Sequence, residues 1–523
     1  MGTDCLLICG SNTTEAHPIV GQKVKEAAAT GTTLIVVDPR RTEVAAIAEA
    51  QENGLFLQIR PGSNIPLLNA MLKVILDEDL VNREFIEART EGFDALVSKL
   101  QDFSLEHAQE ITGISLNIIR KAARLYAGSR SALVLYGLGV AEHKGGTVGV
   151  ISLANLVLAT GHVGRPHTGI NPLRGQNNVQ GACDMGTLPY TLPGYQALDD
   201  ESALEKFARA WRVSSLPSEP GLMEPEMYDQ ALKGRFRALY CVGYDPAHTQ
   251  ANINHVRKAL SAMELVIVQD LFMTETAKYA HVVFPSACFY EKDGTFTSGE
   301  RRVRRGYKAV APVGKAKPDW KIISLFAQAT GYPMFYNHPA DIMDEIASLL
   351  PAYGGISYEN LGLQGQVWPC PEEGHPGTPL LHTERFPRGK ASFVPTFYIP
   401  PEEYSDREYP FVLITGRVLQ HYNNGSQTRH SIGFNLLVPE ELVEINPADA
   451  KKLSIQDGDI VQVASRRGKV KVRVRVTERS QPGVVFMAFH HQDVLTNVLT
   501  SHGLDTKALT PEYKVCAVKI EKV

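Results

Sequence analysis

The feature that most constrains the fold of this 523-residue chain is a pattern of strand, glycine turn, helix and strand that occurs twice. In the first copy an apolar run ends at Gly10, and the next apolar run ends at Asp38, 28 residues later. In the second copy Gly243 and Asp270 hold the same positions, 27 residues apart. This spacing predicts two βαβ units with right-handed crossovers, and therefore parallel α/β sheets.

Local patterns set the boundaries of the elements in each unit. A proline near the first turn and a glycine at the exit mark the first helix. The predicted strands are residues 5–9, 33–37, 238–242 and 265–269, and the predicted helices are residues 18–29 and 251–262. In such folds a glycine turn presents backbone N–H groups to phosphate, and an acidic residue after the second strand can hold ribose hydroxyls or a guanine edge. The G-x-G-x-x-G fingerprint of NAD sites is missing, and two modules without a nucleotide are the alternative.

Composition excludes several classes of protein. The net charge of −4 argues against nucleic acid or an anionic membrane as the main partner. No apolar run reaches about 18 residues, and the start of the chain lacks the features of a secretory signal, so we expect a cytoplasmic protein without a membrane span. The seven cysteines contain no C-x-x-C pair, which fits free thiols in a reducing compartment and argues against a zinc or iron–sulfur cluster within these residues.

A polar, glycine-rich stretch at residues 164–186 follows the apolar segment 148–160. Its amide side chains and the fixed cation of Arg174 suit ligand binding, while its glycines allow close backbone approach. The stretch therefore predicts a binding loop that follows a buried element, and a polar surface loop is the alternative. His167 in this stretch is interpreted as an ordinary loop histidine.

The character of the chain changes after about residue 400. Residues 469–476 alternate strictly between basic residues and valine, which predicts a half-buried strand. A solvated sheet face explains this basic alternation better than anion binding does.

The stretch GRPHTGINPLRGQNNVQGACDMG at 164–186 closely resembles the active-site loop of molybdenum- or tungsten-dependent formate dehydrogenases, which bind bis-molybdopterin guanine dinucleotide (bis-MGD). Further motifs resemble the same family at residues 10–18, 37–40, 60–64 and 511–518, and the run 291–302 resembles a more structural signature. The resemblance implies an N-terminally incomplete molybdopterin oxidoreductase fold. Its expected parts are a first α/β MGD-binding domain at 1–176, a second at 177–390 and a C-terminal β-barrel domain at 400–523.

The resemblance also implies the site residues. Arg174 is expected to be catalytic, because a guanidinium pairs with a carboxylate through two hydrogen bonds. No metal ligand is expected in these residues. Asp245 is expected to bind one guanine, and Asp38 helps to bind the other. The full set of expected cofactor-binding residues is Gly10, Asn12, Glu15, Asp38, Arg40, Gly62, Asn64, Gly137, Gly139, Gly175, Gln176, Asp245, Gln269, Asp270, Thr274, Arg417, His421, Asn423, Asn497, Tyr513 and Lys514.

Family members carry an N-terminal 4Fe–4S domain and a selenocysteine or cysteine metal ligand, which we expect upstream of Met1. Cys5 and Cys9 are expected strand residues, and Cys183 has no expected ligand role. A selenocysteine codon read as a stop would explain such a start. A split subunit is the alternative, and the DNA sequence upstream of Met1 distinguishes the two. We expect the isolated polypeptide to be inactive and to retain cofactor poorly.

Formate and carbon dioxide are the expected substrates, and electron-transfer subunits of iron–sulfur or flavin type are the expected partners. A nitrate-reductase-like bis-MGD enzyme is one alternative. A non-catalytic scaffold with the same fold, as in respiratory complex I, is another. The presence together of Arg174, Gln176, Asp38, Asp245 and His421 argues against it. The sequence does not determine whether the metal is molybdenum or tungsten, which electron acceptor is used or in which direction the reaction runs.

Overall fold

The computed structural model describes residues 2–523 and divides them into two compact units. Unit 1 comprises the residues up to Leu173, His248–Asn254 and Leu380–Val523, and unit 2 comprises Arg174–Ala247 and His255–Pro379. The first α/β region and the C-terminal barrel thus belong to one unit. The division into three domains at 1–176, 177–390 and 400–523 stays a prediction.

Unit 1 contains a five-stranded parallel sheet whose central strand, Cys5–Cys9, is at most 1 % exposed at every residue. Helices cover both faces of such a sheet, which explains why its central strands are continuously apolar. In spatial order the strands are Leu55–Leu57, Thr33–Val37, Cys5–Cys9, Ala132–Tyr136 and Gly169–Pro172. The strand order reverses between Cys5–Cys9 and Ala132–Tyr136, and such a reversal is where doubly wound sheets bind ligands.

The helices around this sheet include the one predicted from the proline and glycine signals, which runs over Pro18–Ala29. The other helices of this region are Thr13–Ala16, Glu43–Ala50, Asn64–Asp77, Arg83–Arg89, Phe93–Gln101, Leu105–Thr112, Leu116–Gly128, Leu138–Ala141 and Gly146–Thr160. A short strand, Thr90–Glu91, pairs with Ala391–Ser392. No helix within residues 2–523 is long and apolar enough to cross a bilayer.

A closed six-stranded barrel forms the C-terminal part of unit 1. Around the barrel the strands are Phe411–Thr415, Val484–Met487, Leu442–Ile445, Lys469–Val476, Ile460–Ala464 and Cys516–Lys522. Val472 and Val474 are buried in its core while Lys471 and Arg473 are exposed, so the alternating strand is confirmed. The helices Ile432–Leu437 and Pro447–Lys452 and the 3-10 helices Thr428–His430 and Thr496–Val498 lie in the connections.

Unit 2 contains a parallel sheet in the order Val282–Pro285, Leu265–Asp270 and Ala238–Val242, and an antiparallel sheet of Gly294–Thr297, Arg302–Gly306 and Gln366–Val367. Val266 and Val268 pack in one core cluster with Val256 and Leu260. The helices along this part of the chain are Val179–Asp184, Glu201–Ala210, Glu224–Leu232, Pro246–Thr249, Ile253–Ala262, Asp319–Ala329 and Pro339–Leu349. A small hairpin, Thr191–Leu192 with Gln196–Ala197, and the 3-10 helices Pro193–Tyr195, Thr276–Tyr279 and Pro351–Tyr353 complete the unit.

Two boundary predictions and one loop prediction need correction. The second crossover helix begins at Ile253 rather than at residue 251, and the strand before Asp270 includes that residue. The stretch 164–186 is not entirely loop, because Gly169–Pro172 forms an edge strand and Val179–Asp184 forms a helix. An edge strand is paired on one side only, so it tolerates polar residues and proline. The sequence of Gly169–Pro172 therefore carries no strand signal.

Candidate functional site

The turn after the central strand of unit 1 depends on glycine. Gly10 has φ +55°, and a Cβ placed on it would lie 2.5 Å from the Gly139 carbonyl carbon. The Gly139 N–H donates to the Gly10 carbonyl at 3.0 Å, and the Gly137 N–H donates to the Cys9 carbonyl at 3.1 Å. Only glycine allows this approach of two backbones at the reversal of strand order.

Beside this turn lies Asn12, whose amide is only partly hydrogen-bonded within the described residues. Within residues 2–523 the buried Asn12 Nδ2 has no hydrogen-bond partner, although Asn12 Oδ1 accepts from the Thr14 hydroxyl at 3.2 Å. Asn64 is engaged, because its Nδ2 donates to the Gly139 carbonyl at 3.2 Å. A buried donor without a partner is costly, so Asn12 marks a place where a ligand oxygen fits.

Asp38 directly follows the strand Thr33–Val37 and accepts a hydrogen bond from the Arg40 N–H at 2.9 Å. Burial raises the pKa of its carboxyl to about 6, against the lowering effect of that hydrogen bond and of the charges of Arg40 and Lys514. Lys514 Nζ is 2.8 Å from a Glu142 carboxylate oxygen and donates to the Thr415 carbonyl at 3.1 Å. Asp38 therefore offers a shielded acceptor at the carboxyl edge of the sheet.

Among the expected cofactor residues of unit 1, Arg40 and Glu15 form ion pairs within the protein, and Gly62 packs closely against Pro401. Arg40 is buried, donates from Nε and Nη2 to Glu444 at 2.9 and 2.7 Å, and lies over the Phe486 ring. Glu15 accepts from Arg479 at 2.6 Å. Gly62 has φ +82°, and a Cβ there would lie 2.7 Å from Pro401 Cγ. These contacts are structural, and contacts of the three residues with a cofactor stay predictions.

The barrel brings Arg417, His421 and Asn423 close together. Arg417 Nη2 donates to Asn423 Oδ1 at 3.1 Å, and its guanidinium lies 4.3 Å from the centre of the Phe489 ring. The ring of His421 stacks on that of His490. His490 accepts from the Val418 N–H at Nε2 and donates from Nδ1 to the Asn423 carbonyl. Burial holds the pKa of His490 well below its ordinary value, so this histidine is neutral.

Asn497 and Tyr513 contact the segment His248–Asn254. Asn497 Nδ2 donates to the Thr249 carbonyl at 2.6 Å, and Tyr513 donates to Gln250 Oε1 at 3.2 Å. The buried Asn497 Oδ1 has no hydrogen-bond partner within the described chain. Asn497 thus provides a second buried polar atom that fits a ligand, in this case as an acceptor.

In unit 2 the Arg174 segment, residues 174–178, exposes the predicted catalytic arginine. A Cβ placed on Gly299 would lie 3.5 Å from Arg174 Cγ, and a Cβ placed on Gly175 would meet no atom within 4 Å. Asn178, with φ +60°, ends the segment, and its Oδ1 accepts from the Thr297 N–H at 2.8 Å. Gln176 is half-buried. The segment therefore presents a cation beside open space and is anchored at its far end.

Sequence reasoning missed the buried residue that supports this segment. Asp184 is 1 % exposed and ends the helix that follows Asn178. Its Oδ1 accepts from Gln180 Nε2 and from the Tyr195 hydroxyl, both at 2.8 Å, and its Oδ2 accepts from the Tyr353 hydroxyl at 2.6 Å. The polar stretch around Asp184 gives no signal of burial, because the partner Tyr353 lies 169 residues away along the chain.

The other expected residues of unit 2 have partners inside it. Asp245 Oδ1 accepts from the Thr276 N–H and hydroxyl at 2.8 and 2.7 Å, and the buried Thr274 accepts from the Ala277 N–H at 3.3 Å. Gln269 is fully buried and bonded to Tyr240 and Asp319. These contacts are structural, and a role of Asp245 at a guanine stays a prediction.

Asp270 closes the strand that leads to this edge of unit 2. Its Oδ1 accepts from the Leu271 N–H at 2.6 Å. Burial raises the pKa of its carboxyl, and the nearby carboxylates of Asp245 and Asp319 raise it further. Asp319, which sequence reasoning did not single out, also accepts from Ser286 at 3.0 Å and pairs with Lys292. Three carboxyl groups therefore gather at the end of this sheet.

Comparison with known proteins assigns the chain to a family. Residues 2–329 match the molybdopterin oxidoreductase model, and residues 411–517 match the model described as "Molydopterin dinucleotide binding domain". The chain belongs to the molybdopterin oxidoreductase family.

Within this family the chain is similar to formate dehydrogenase alpha subunits. It is 45 % identical to "F420-dependent formate dehydrogenase 2 subunit alpha" of Methanococcus maripaludis, over 99 % of this chain and 76 % of that protein. It is 42 % identical to "Formate dehydrogenase H" of Escherichia coli, over 100 % of this chain and 73 % of that protein. Acetylene hydratase from Pelobacter acetylenicus has the same fold, with a TM-score of 0.76 at 19 % identity over 100 % of this chain and 78 % of that structure.

The residues of this molybdopterin oxidoreductase fit a molybdopterin dinucleotide. The close crossing of Gly10 and Gly139 lies at the reversal of strand order, where doubly wound sheets bind ligands. Asn12 and Asn497 supply buried polar atoms that have no hydrogen-bond partner within the described part of the chain. The predicted fold class and the molybdopterin dinucleotide cofactor are confirmed, and the individual contacts stay predictions.

The cysteines of this family member are reduced and mostly buried. All seven are free, and Cys183 and Cys288 are the partly accessible ones. Burial raises the pKa of Cys5 to about 12, and it also raises that of Cys9. Cys5 and Cys9 lie in the central strand, as predicted. No cysteine within residues 2–523 belongs to a group of three metal-ligating side chains.

Proposed function

We propose that this chain is the larger part of the catalytic subunit of a molybdenum- or tungsten-dependent bis-MGD formate dehydrogenase, which interconverts formate and carbon dioxide. The observation that carries the proposal is the Arg174 segment, whose exposed arginine stands beside open space in a chain 42–45 % identical to proteins named formate dehydrogenase. Formate is a small anion, and its recognition needs a fixed cation.

Arg174 is the residue that binds and orients formate. Its guanidinium is charged at every physiological pH, and its planar fork matches both oxygens of a carboxylate. Two parallel hydrogen bonds fix the plane of formate and leave its C–H bond pointing away from the arginine. Orienting the reactant in this way lowers the entropic part of the barrier.

Residues near the Gly10 turn and residues of the barrel would hold the cofactor. Asn12 Nδ2 would donate to an oxygen of the cofactor, while Asp38 and Asn497 Oδ1 would accept from its polar groups. When bound, the metal and its pterins supply the acceptor for the two electrons of formate. The protein positions the substrate through Arg174.

The proposal extends to groups outside residues 1–523. The 4Fe–4S cluster and the selenocysteine or cysteine ligand of the metal are proposed to come from other sequence, because none of the seven cysteines here lies in a ligating cluster. Electrons pass to iron–sulfur or flavin partner subunits. Seven free thiols support a reducing, cytoplasmic location.

The variant Arg174→Lys in the complete enzyme tests the proposal. We expect the KM for formate to rise at least about tenfold and kcat to fall, because an ammonium cannot reproduce the two-point grip. The measurement is steady-state formate oxidation with a viologen dye, normalised to pterin content. Arg209→Lys, a change at an exposed arginine of the same unit, is the matched control and should leave both constants unchanged. Unchanged kinetics for Arg174→Lys would remove this residue from the mechanism.

A further inference from the structure

His143 is a buried histidine of unit 1 whose ring contacts the crossing of Gly10 and Gly139. The residue is 8 % exposed, and its Nε2 lies 2.9 Å from the Gly139 carbonyl oxygen. A carbonyl oxygen can only accept, so Nε2 carries a proton and donates this hydrogen bond. Sequence reasoning did not single out His143, because its partner is a backbone atom that no side-chain pattern reveals.

The Gly139 peptide is fixed by three hydrogen bonds. Its N–H donates to the Gly10 carbonyl at 3.0 Å, and its carbonyl accepts from Asn64 Nδ2 at 3.2 Å as well as from His143. Asn64 begins a different helix, Asn64–Asp77, so the two side-chain donors come from separate elements. Because a Cβ on Gly10 would lie only 2.5 Å from the Gly139 carbonyl carbon, a rotation of the Gly139 peptide would displace the Gly10 turn.

The C-terminal motif 511–518 fixes the backbone next to His143. Glu512 is fully buried, and its carboxylate accepts from the Lys144 N–H at 3.1 Å and from the Glu402 N–H at 2.9 Å. Its Oε1 is also 3.9 Å from His143 Nδ1, which is too far for a direct hydrogen bond. Glu512 therefore holds His143 through the backbone of the following residue, and it links the end of the barrel to the crossing of the two glycines.

We propose that His143 is a positioning residue for the cofactor, which holds the Gly139 carbonyl and so keeps the Gly10 turn in the shape that binds a molybdopterin dinucleotide. This inference rests on the cofactor site of the proposed function, and it does not depend on formate as the substrate. His143 acts through Gly139 and takes no part in the redox step. Its removal therefore speeds release of the cofactor and leaves substrate binding by the loaded enzyme unchanged.

The test is His143→Phe in the complete enzyme, which keeps a ring and removes the donor. We expect pterin to be released about five times faster, the change that corresponds to one hydrogen bond of typical strength. Release at a fixed temperature is followed by pterin fluorescence after removal of the protein by filtration. The KM for formate of the enzyme that still holds cofactor should stay within about twofold of the parent value.

His143→Gln is the rescue variant. The Nε2 of a glutamine is separated from Cβ by the same number of bonds as the Nε2 of a histidine, so it can reach the Gly139 carbonyl. The variant loses no other hydrogen bond, because His143 Nδ1 has no partner within residues 2–523. Its release of pterin should stay within about twofold of the parent rate. His143→Asn, whose shorter amide does not reach Gly139, should release pterin as fast as His143→Phe and replaces that variant if it folds poorly.

His162→Phe is the matched control, because His162 is 2 % exposed in the same unit and donates from Nε2 to the Tyr126 carbonyl at 3.2 Å. It should lower the unfolding temperature of the cofactor-free protein as His143→Phe does, but it should leave the rate of pterin release unchanged. Equal rates of release in the two phenylalanine variants, or a His143→Gln enzyme as leaky as His143→Phe, would overturn the inference.

Gly10→Ala separates this inference from the proposed cofactor site. Rapid loss of pterin from Gly10→Ala together with a parental rate in His143→Phe rejects the role of His143 alone. Normal retention of pterin in Gly10→Ala rejects the proposed role of the turn, and the role of His143 with it.

Discussion

The two copies of the βαβ pattern use their polar residues differently. In the first copy the buried Asn12 Nδ2 has no hydrogen-bond partner within residues 2–523, and Asp38 accepts from the N–H of nearby Arg40. In the second copy the Asp245 carboxylate accepts from Thr276 and from the Glu275 N–H, and Gln269 is bonded at both ends. The same local pattern therefore forms both βαβ units. Tertiary contacts decide whether its polar groups remain available to a ligand or bond to a neighbouring loop.

The two units also differ in how deeply they bury a comparable ion pair. Arg40 and Glu444 form a two-point pair inside unit 1, with side chains 5 % and 6 % exposed. Arg237 and Glu264 form the same kind of pair in unit 2, with side chains 67 % and 62 % exposed. A buried charge that loses its partner is strongly destabilising, whereas an exposed one is solvated by water.

The largest expected effect comes from Glu444→Gln. We expect it to destabilise unit 1 by about 3 kcal/mol, because the buried Arg40 guanidinium would lose its main counter-charge. The matched change Glu264→Gln should leave stability unchanged within error, since that pair is exposed. Chemical denaturation of the two variants compares them, and equal losses would show that burial does not separate the two pairs.

The turn glycines give the next contrast. Gly10→Ala places a Cβ 2.5 Å from the Gly139 carbonyl carbon at φ +55°, whereas Gly243→Ala at φ +60° meets no atom within 4 Å. We expect a loss of about 2–3 kcal/mol and of bound pterin in the first variant, from overpacking and an unfavourable φ. The second should lose about 1 kcal/mol and keep its pterin. Thermal unfolding and pterin fluorescence measure both, and similar losses would mean that steric closeness at Gly10 is unimportant.

The last expected effect, confined to a narrow range of pH, is a pH dependence at Asp38. Its pKa of about 6 lies above the ordinary 3.8, so the folded state holds the proton more tightly than the unfolded state. The resulting stabilisation is fully present below about pH 4 and is lost as the pH rises through 6. Asp38→Asn should remove this fall, measured as unfolding midpoints between pH 4 and 7. Asp200→Asn, at an exposed carboxylate whose pKa is lowered, should leave the fall in place, and an unchanged profile in Asp38→Asn would contradict the assignment.

Much of the frame could be predicted because its signals are local. The strand Cys5–Cys9, the helix Pro18–Ala29 and the alternating strand Lys469–Val476 follow from apolar periodicity and helix-end residues. The edge strand Gly169–Pro172 was missed, because a strand paired on one side needs little hydrophobicity. The helix Val179–Asp184 was missed because its six residues are too few to show a period.

By itself the sequence determined that this protein has glycine turns after buried parallel strands, a barrel with one alternating face, and an arginine in a polar, glycine-rich segment. Only the tertiary structure decided that Arg40 pairs with Glu444 across 404 residues and that the buried Asp184 joins Tyr195 to Tyr353. The physical reason is range. Periodicity and turn chemistry act between neighbours, whereas the partner of a buried charge is chosen by which distant side chain the closed fold brings to it.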